Sequence, residues 1–280
     1  MLYLLLAIAS SAMVSVCMRI SEKHVRNTAA MFTANYAVCL ALSRFHMGSS
    51  RIFTPENGIG RAAALGIISG FLYLVCFMLL QRSIHYNGVV LSSASMKLGA
   101  VLIPVMAAVL LFHERMRWAQ LTGAVLSAAA ILLMSIEKGD VGQGGRKLWL
   151  VVLLAVNGLT DTMANIYDKT GAAELKNHYL FFTFLAALLF ASVTALLKRA
   201  KVTPAELLCG FLIGIPNYYS ARFILLSLGS VPAVIVYPAY SVGAIITIAL
   251  VGLAVFHESL SRQKKCALLL ILAALTLLNI

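Results

Sequence analysis

Residues 98–114 read Leu-Gly-Ala-Val-Leu-Ile-Pro-Val-Met-Ala-Ala-Val-Leu-Leu-Phe-His-Glu, and residues 242–258 read Val-Gly-Ala-Ile-Ile-Thr-Ile-Ala-Leu-Val-Gly-Leu-Ala-Val-Phe-His-Glu. Gly99-Ala100 and Gly243-Ala244 lie 144 positions apart. Phe112-His113-Glu114 and Phe256-His257-Glu258 lie at the same offset, with no gap between. Any two apolar helices share many leucines and alanines. A repeated Phe-His-Glu in register with a repeated Gly-Ala does not follow from that. The same offset carries Gly66 and Gly70 onto Gly210 and Gly214, and Glu22-Lys23 meets Asp168-Lys169 at an offset of 146. The chain therefore reads as one unit present twice.

Outward from these stretches, the chain divides into apolar runs near 2–18, 28–43, 62–80, 89–112, 119–135, 148–165, 178–197, 207–227, 233–256 and 264–279. A membrane-spanning helix needs about 20 mostly apolar residues. The runs are continuous and rich in Leu and Ala, whereas a transmembrane barrel would alternate apolar and polar positions in short segments. The expected fold is all-α and integral to the membrane, with ten transmembrane helices. Residues 1–136 form the first five-helix repeat, the glycine-rich 137–147 a linker, and 148–280 the second repeat. Five is odd, so the two repeats enter the membrane from opposite sides. Inverted repeats of this kind put a binding site near the midplane, at their interface. The run from Leu2 to Met18 lacks a basic leader and reads as the first span, not a signal peptide.

Composition agrees. The chain is 61% hydrophobic and only 11% charged, against roughly 25% charged for soluble domains. The net charge of +12 is gathered in small groups between the runs, as the positive-inside rule and anionic lipid surfaces favour. No basic face with interleaved aromatics points to nucleic acid. Loops on the side of both termini hold seven Lys or Arg and the opposite loops hold thirteen, which by itself puts the termini outside the cytoplasm. Cys17, Cys39, Cys76, Cys209 and Cys266 sit in or at the edges of apolar runs without metal-like spacing and read as packing residues. Trp118 and Trp149 stand at run ends, as interfacial anchors do.

The paired Leu-Phe-His-Glu and Val-Phe-His-Glu turns, each closing a Gly-Ala helix and followed by another apolar run, resemble the EamA family of the drug/metabolite transporter superfamily. The resemblance covers essentially the whole chain. It implies a ten-helix basket in which spans 1, 3, 4, 6, 8 and 9 line a central cavity, with spans 5 and 10 at the periphery. It also implies carriage of amino acids, other metabolites or sugar-linked compounds by alternating access, with cytoplasmic termini, contrary to the charge count. Two departures stand out. Ser10-Ser11-Ala12 occupies the region where Trp-Gly is common, and Asn35-Tyr36 replaces a frequent Arg-Phe.

Ionisable residues inside a span are costly and mark function. Here they are Lys97, Asp161 and Arg222. Asn157, Asp161 and Asn165 follow at i, i+4, i+8 and share a helix face. That polar stripe suits a cavity wall, with Asp161 binding substrate or coupling to protons; its alternative is a structural carboxylate. Lys97, one turn from Ser93, is placed to capture a carboxylate or phosphate, to snorkel, or to pair with Asp161. Asn217, Tyr218 and Arg222 follow Pro216, which frees a backbone carbonyl. Tyr237 and Tyr240 flank Pro238 and offer hydroxyls on apolar walls, as small-molecule pockets do. Glu114 and Glu258, beside His113 and His257, read as helix-end structure and not as metal ligands.

No His-Glu-x-x-His, Gly-x-Ser-x-Gly or phosphate-loop motif occurs, so neither an enzyme nor an ATP-driven pump is expected. The leading expectation is a multi-pass inner-membrane carrier, a metabolite exporter for an amino acid or related compound. It needs no cofactor or metal, is open to proton coupling, works as a monomer or homodimer, and has lipid and a small molecule as partners. A membrane scaffold or receptor and an intramembrane enzyme are the competing classes.

Overall fold

Backbone polar groups in lipid must be satisfied within their own segment, which leaves the helix as the default for continuous apolar runs. The computed structural model describes residues 2–21, 24–48, 58–113, 117–135, 147–197 and 202–255, with positions 266, 269, 270, 273 and 277. These form α1 (Leu2–Ser21), α2 (Thr28–Met47), α3 (Ile59–Phe112), α4 (Trp118–Ser135), α5 (Lys147–Thr170), a 3-10 turn (Ala173–Leu175), α6 (Lys176–Leu197), α7 (Pro204–Leu228) and α8 (Ala233–Val255). No strand occurs among the described residues. The segments Leu2–Ser21, Ile59–Ser83, Leu148–Thr170, Ala173–Leu197 and Pro204–Leu228 are long and apolar enough to cross a membrane. Their outer faces expose large apolar side chains such as Leu5, Phe71, Leu196 and Leu208, a surface suited to lipid and not to water. The 137–146 part of the expected linker, most of the tenth run, Glu22, Lys23, Glu114, His257 and Glu258 lie outside the described residues.

The third and fourth apolar runs were expected as two helices, and the structure carries them in one helical stretch of 54 residues, α3. That stretch is not straight. Ser92 Oγ donates to Ser83 Oγ at 2.8 Å, yet nine residues of straight helix rise about 13.5 Å. The side chain of Asn157 also meets both Cys76 and Met96, about 30 Å apart along a straight helix. The chain thus folds back between Ser83 and Ser92 while keeping helical hydrogen bonding, and α3 has two limbs that pack side by side.

Local sequence explains the ends. The Asn27 side chain accepts from the Ala30 N–H at 3.3 Å and caps α2. Thr203 and Glu206 form a capping box at α7, with Pro204 in its first turn. The buried Glu206 carboxylate also accepts the N–H groups of Arg26 and Asn27, at 3.1 and 3.2 Å. One carboxylate therefore serves the N-termini of two helices, where the dipole favours negative charge.

Glycines set the seams. Without a hydrophobic drive between helices in lipid, close backbone approach through small residues holds a bundle together. An added Cβ at Gly66 of α3 would lie 2.8 Å from Phe182 Cβ and 3.0 Å from Tyr179 O on α6. One at Gly210 of α7 would lie 2.5 Å from both Ala34 Cβ and Met31 O on α2. Phe182 and Tyr179 stand 148 positions after Ala34 and Met31, and Gly210 stands 144 after Gly66. Gly70 against Ala186 and Gly214 against Val38 repeat the relation. So do Gly99 against Leu154 and Gly243 against Ile8, with an offset of 146 on the partner. The offset is 146 for the first spans, 148 for the second and 144 for the third and fourth.

The Gly99 seam is the tightest, since its Cβ would overlap the Leu154 carbonyl. Gly99→Leu is expected to cost at least the roughly 1–3 kcal/mol typical of overpacking. The readout is a lowered unfolding temperature of the detergent-solubilised protein; an unchanged value would contradict this packing.

Candidate functional site

A cavity of about 60 Å³ lies at the centre of the bundle, several times the roughly 10–15 Å³ one water requires. It is lined from α1, both limbs of α3, α5, α7 and α8, and also from α6, which the resemblance did not include. Apolar walls come from Val14, Phe77, Leu80, Leu180, Ile224 and Leu225. Tyr73 stacks on Phe77 with ring centroids 6.5 Å apart.

Two charged residues enter this space. Lys97, on the second limb of α3, is 1% exposed. Its ammonium donates to Ser11 Oγ at 2.7 Å and lies 4.1 Å from the centroid of the Tyr240 ring, a cation–π geometry. The Tyr240 hydroxyl is held in turn by Ser220 at 3.1 Å, which steadies the ring. Asp161, on α5, accepts a hydrogen bond from Asn157 Nδ2 at 3.1 Å on its Oδ2. Among the described residues the ion pair is Lys176–Asp168 at 2.6 Å, away from the cavity; none joins Lys97 to Asp161. The two charges share one wall system without neutralising each other directly.

Of the residues singled out from the sequence, Lys97, Asn157, Asp161, Asn217 and Tyr240 line the cavity. Asn217 Nδ2 donates to Asn35 Oδ1 at 3.2 Å, joining α7 to α2. Tyr237 is fully buried behind the wall, its hydroxyl donating to the backbone carbonyl of Asp161 at 2.6 Å. Asn165 is fully buried, outside the lining, and neither amide atom has a hydrogen-bond partner among the described residues. Arg222 donates to Asn177 Oδ1 at 2.7 Å and to Tyr218 Oη at 3.2 Å, and this pair also lies outside the lining. The side chain of Ser93 is outside the described residues. The structure adds Ser11, Tyr73, Cys76, Tyr179, Thr183 and Ser220 to the wall.

The model of the EamA-like transporter family matches residues 1–136. This EamA-like half supplies Ser11, Tyr73, Cys76 and Lys97 to the cavity, and the second half supplies Asn157, Asp161, Asn217 and Tyr240. The chain is also similar to an uncharacterized protein of Haemophilus influenzae, 23% identical over 281 residues, covering 97% of this chain and 95% of that one. A solved crystal structure of a protein superposes with a TM-score of 0.72 at 19% identity, covering 99% of this chain and 94% of the other. That likeness shows a shared fold over nearly the whole length, beyond the EamA-like half. The family match over residues 1–136 and the apolar helices support a multi-pass membrane protein.

Proposed function

We propose that the chain is a secondary transporter that exports a small polar metabolite, an amino acid or a related zwitterion, across the inner membrane by alternating access. The observation that carries this reading is the pair Lys97 and Asp161 in one central cavity without an ion pair between them. A buried charge without a counter-charge in contact is expensive. A substrate bearing a carboxylate and an ammonium satisfies both groups at once. The apolar wall of Val14, Phe77 and Leu80 suits the rest of such a molecule. The membrane architecture in this reading is ten spans in two inverted repeats. It is supported by the repeated glycine seams, in which each half packs against the other at corresponding positions. Asp161 is the group assigned to proton coupling.

A thermal-shift screen of the purified protein against a metabolite library tests the ligand class. A zwitterion at 100-fold excess over its Kd is expected to add about 2.7 kcal/mol of stability, read as a rise of a few degrees in unfolding temperature. Stabilisation by uncharged sugars alone, with no response to any amino acid, would overturn the assignment.

A further inference from the structure

We infer that Asn157 sets the spacing between the ammonium of Lys97 and the carboxylate of Asp161, and so selects substrates by the separation of their two charges. This rests on the carrier reading above and sharpens it.

The Asn157 amide is committed to protein on both sides. Its Nδ2 donates to the Met96 carbonyl at 3.0 Å and to Asp161 Oδ2 at 3.1 Å. Its Oδ1 accepts the Cys76 thiol at 3.3 Å. The residue is 6% exposed. Met96 is the chain neighbour of Lys97, so one amide ties the backbone that carries the cation to the carboxylate on α5. Cys76, from the other limb of α3, fixes which way the amide faces. Ser11 and the Tyr240 ring hold the ammonium at the opposite end. Asp161 Oδ1 has no hydrogen-bond partner among the described residues, although Asp161 lines the cavity.

An anchored cation and an anchored anion make a ruler. A ligand whose carboxylate meets Lys97 and whose ammonium meets Asp161 must bring those groups at one distance. Each methylene between its charges changes that distance, so a rigid site has one preferred chain length. Without the Asn157 amide, Asp161 is free to rotate about its own side-chain bonds and the preference broadens. Asn157 is thus a positioning residue.

The test is the flux of labelled glycine, β-alanine, 4-aminobutyrate and 5-aminopentanoate through full-length protein in proteoliposomes. The wild type is expected to favour one chain length over its neighbours by about tenfold, the scale of one oriented charge-assisted hydrogen bond. In Asn157→Ala and Asn157→Ser the four rates should draw together to within about threefold. Cys76→Ala, which frees only the far side of the amide, should shift the ranking in the same direction and serves if the Asn157 variants do not fold. A uniform fall with the ranking intact would mean a merely structural role and overturns the inference. Movement of none of the four by the wild type would overturn the carrier reading itself, and the inference with it.

Discussion

Lys97→Met should leave a folded protein that has lost its substrate flux. Methionine keeps most of the volume and flexibility of the lysine stem. The fold therefore loses only the ammonium, its hydrogen bond to Ser11 and its contact with the Tyr240 ring. None of these is a salt bridge, so the stability lost is expected to stay within the roughly 1.5–3 kcal/mol of one hydrogen bond to a charged group. The substrate loses its carboxylate partner, and charge-assisted hydrogen bonds are worth about 1.5–3 kcal/mol. Affinity should fall by about tenfold to a hundredfold, and flux at low substrate with it. Initial rates in proteoliposomes, beside unfolding temperatures, check both halves of the expectation. Lost flux with a collapsed unfolding temperature would make Lys97 a structural residue. Unchanged flux would remove it from the site.

Asp161→Asn is the second large effect. The substitution keeps shape, and an amide oxygen can still accept from Asn157 Nδ2, now held at 3.1 Å from the carboxylate. What disappears is the negative charge and the ability to take up and release a proton. Zwitterion transport should fall by about tenfold to a hundredfold, again on the scale of a charge-assisted bond. The flux that remains should no longer respond to a pH gradient across the vesicle. Rates measured over a series of internal pH values at fixed external pH give the answer. Unchanged transport with an unchanged pH response would show that Asp161 does not couple.

Much of the helical framework was readable because apolar runs in lipid have few alternatives. The positions of α1, α2 and α5 to α8 follow the apolar runs, with ends that differ by up to five residues, and the capping box of Thr203 and Glu206 starts α7 three residues before the run at 207. The turn between the third and fourth runs was less readable. Gln81 to Gly88 is polar enough to suggest a loop, yet the backbone stays helical while bending, and Ser92 donates to Ser83 across the bend.

The site was readable where chemistry is rare. A lysine and an aspartate inside spans stand out, and i, i+4 spacing put Asn157 beside Asp161, as their hydrogen bond shows. The same spacing linked Tyr218 to Arg222. It could not say that this pair turns to Asn177 and away from the cavity, since periodicity gives neighbours on a helix and not the partner across it. Ser11, Thr183 and Cys76 were missed for the opposite reason. Such small side chains are common in apolar helices, and only the folded arrangement brings Ser11 to Lys97 and Cys76 to Asn157.

The most direct measurement is counterflow in sealed proteoliposomes containing purified protein. Vesicles loaded with an unlabelled amino acid that stabilises the protein are diluted into a trace of the labelled form. A carrier working by alternating access gives a transient, saturable accumulation of label above equilibrium, absent from protein-free vesicles and from Lys97→Met. Equilibration without overshoot at every internal concentration, or no entry at all, would contradict it.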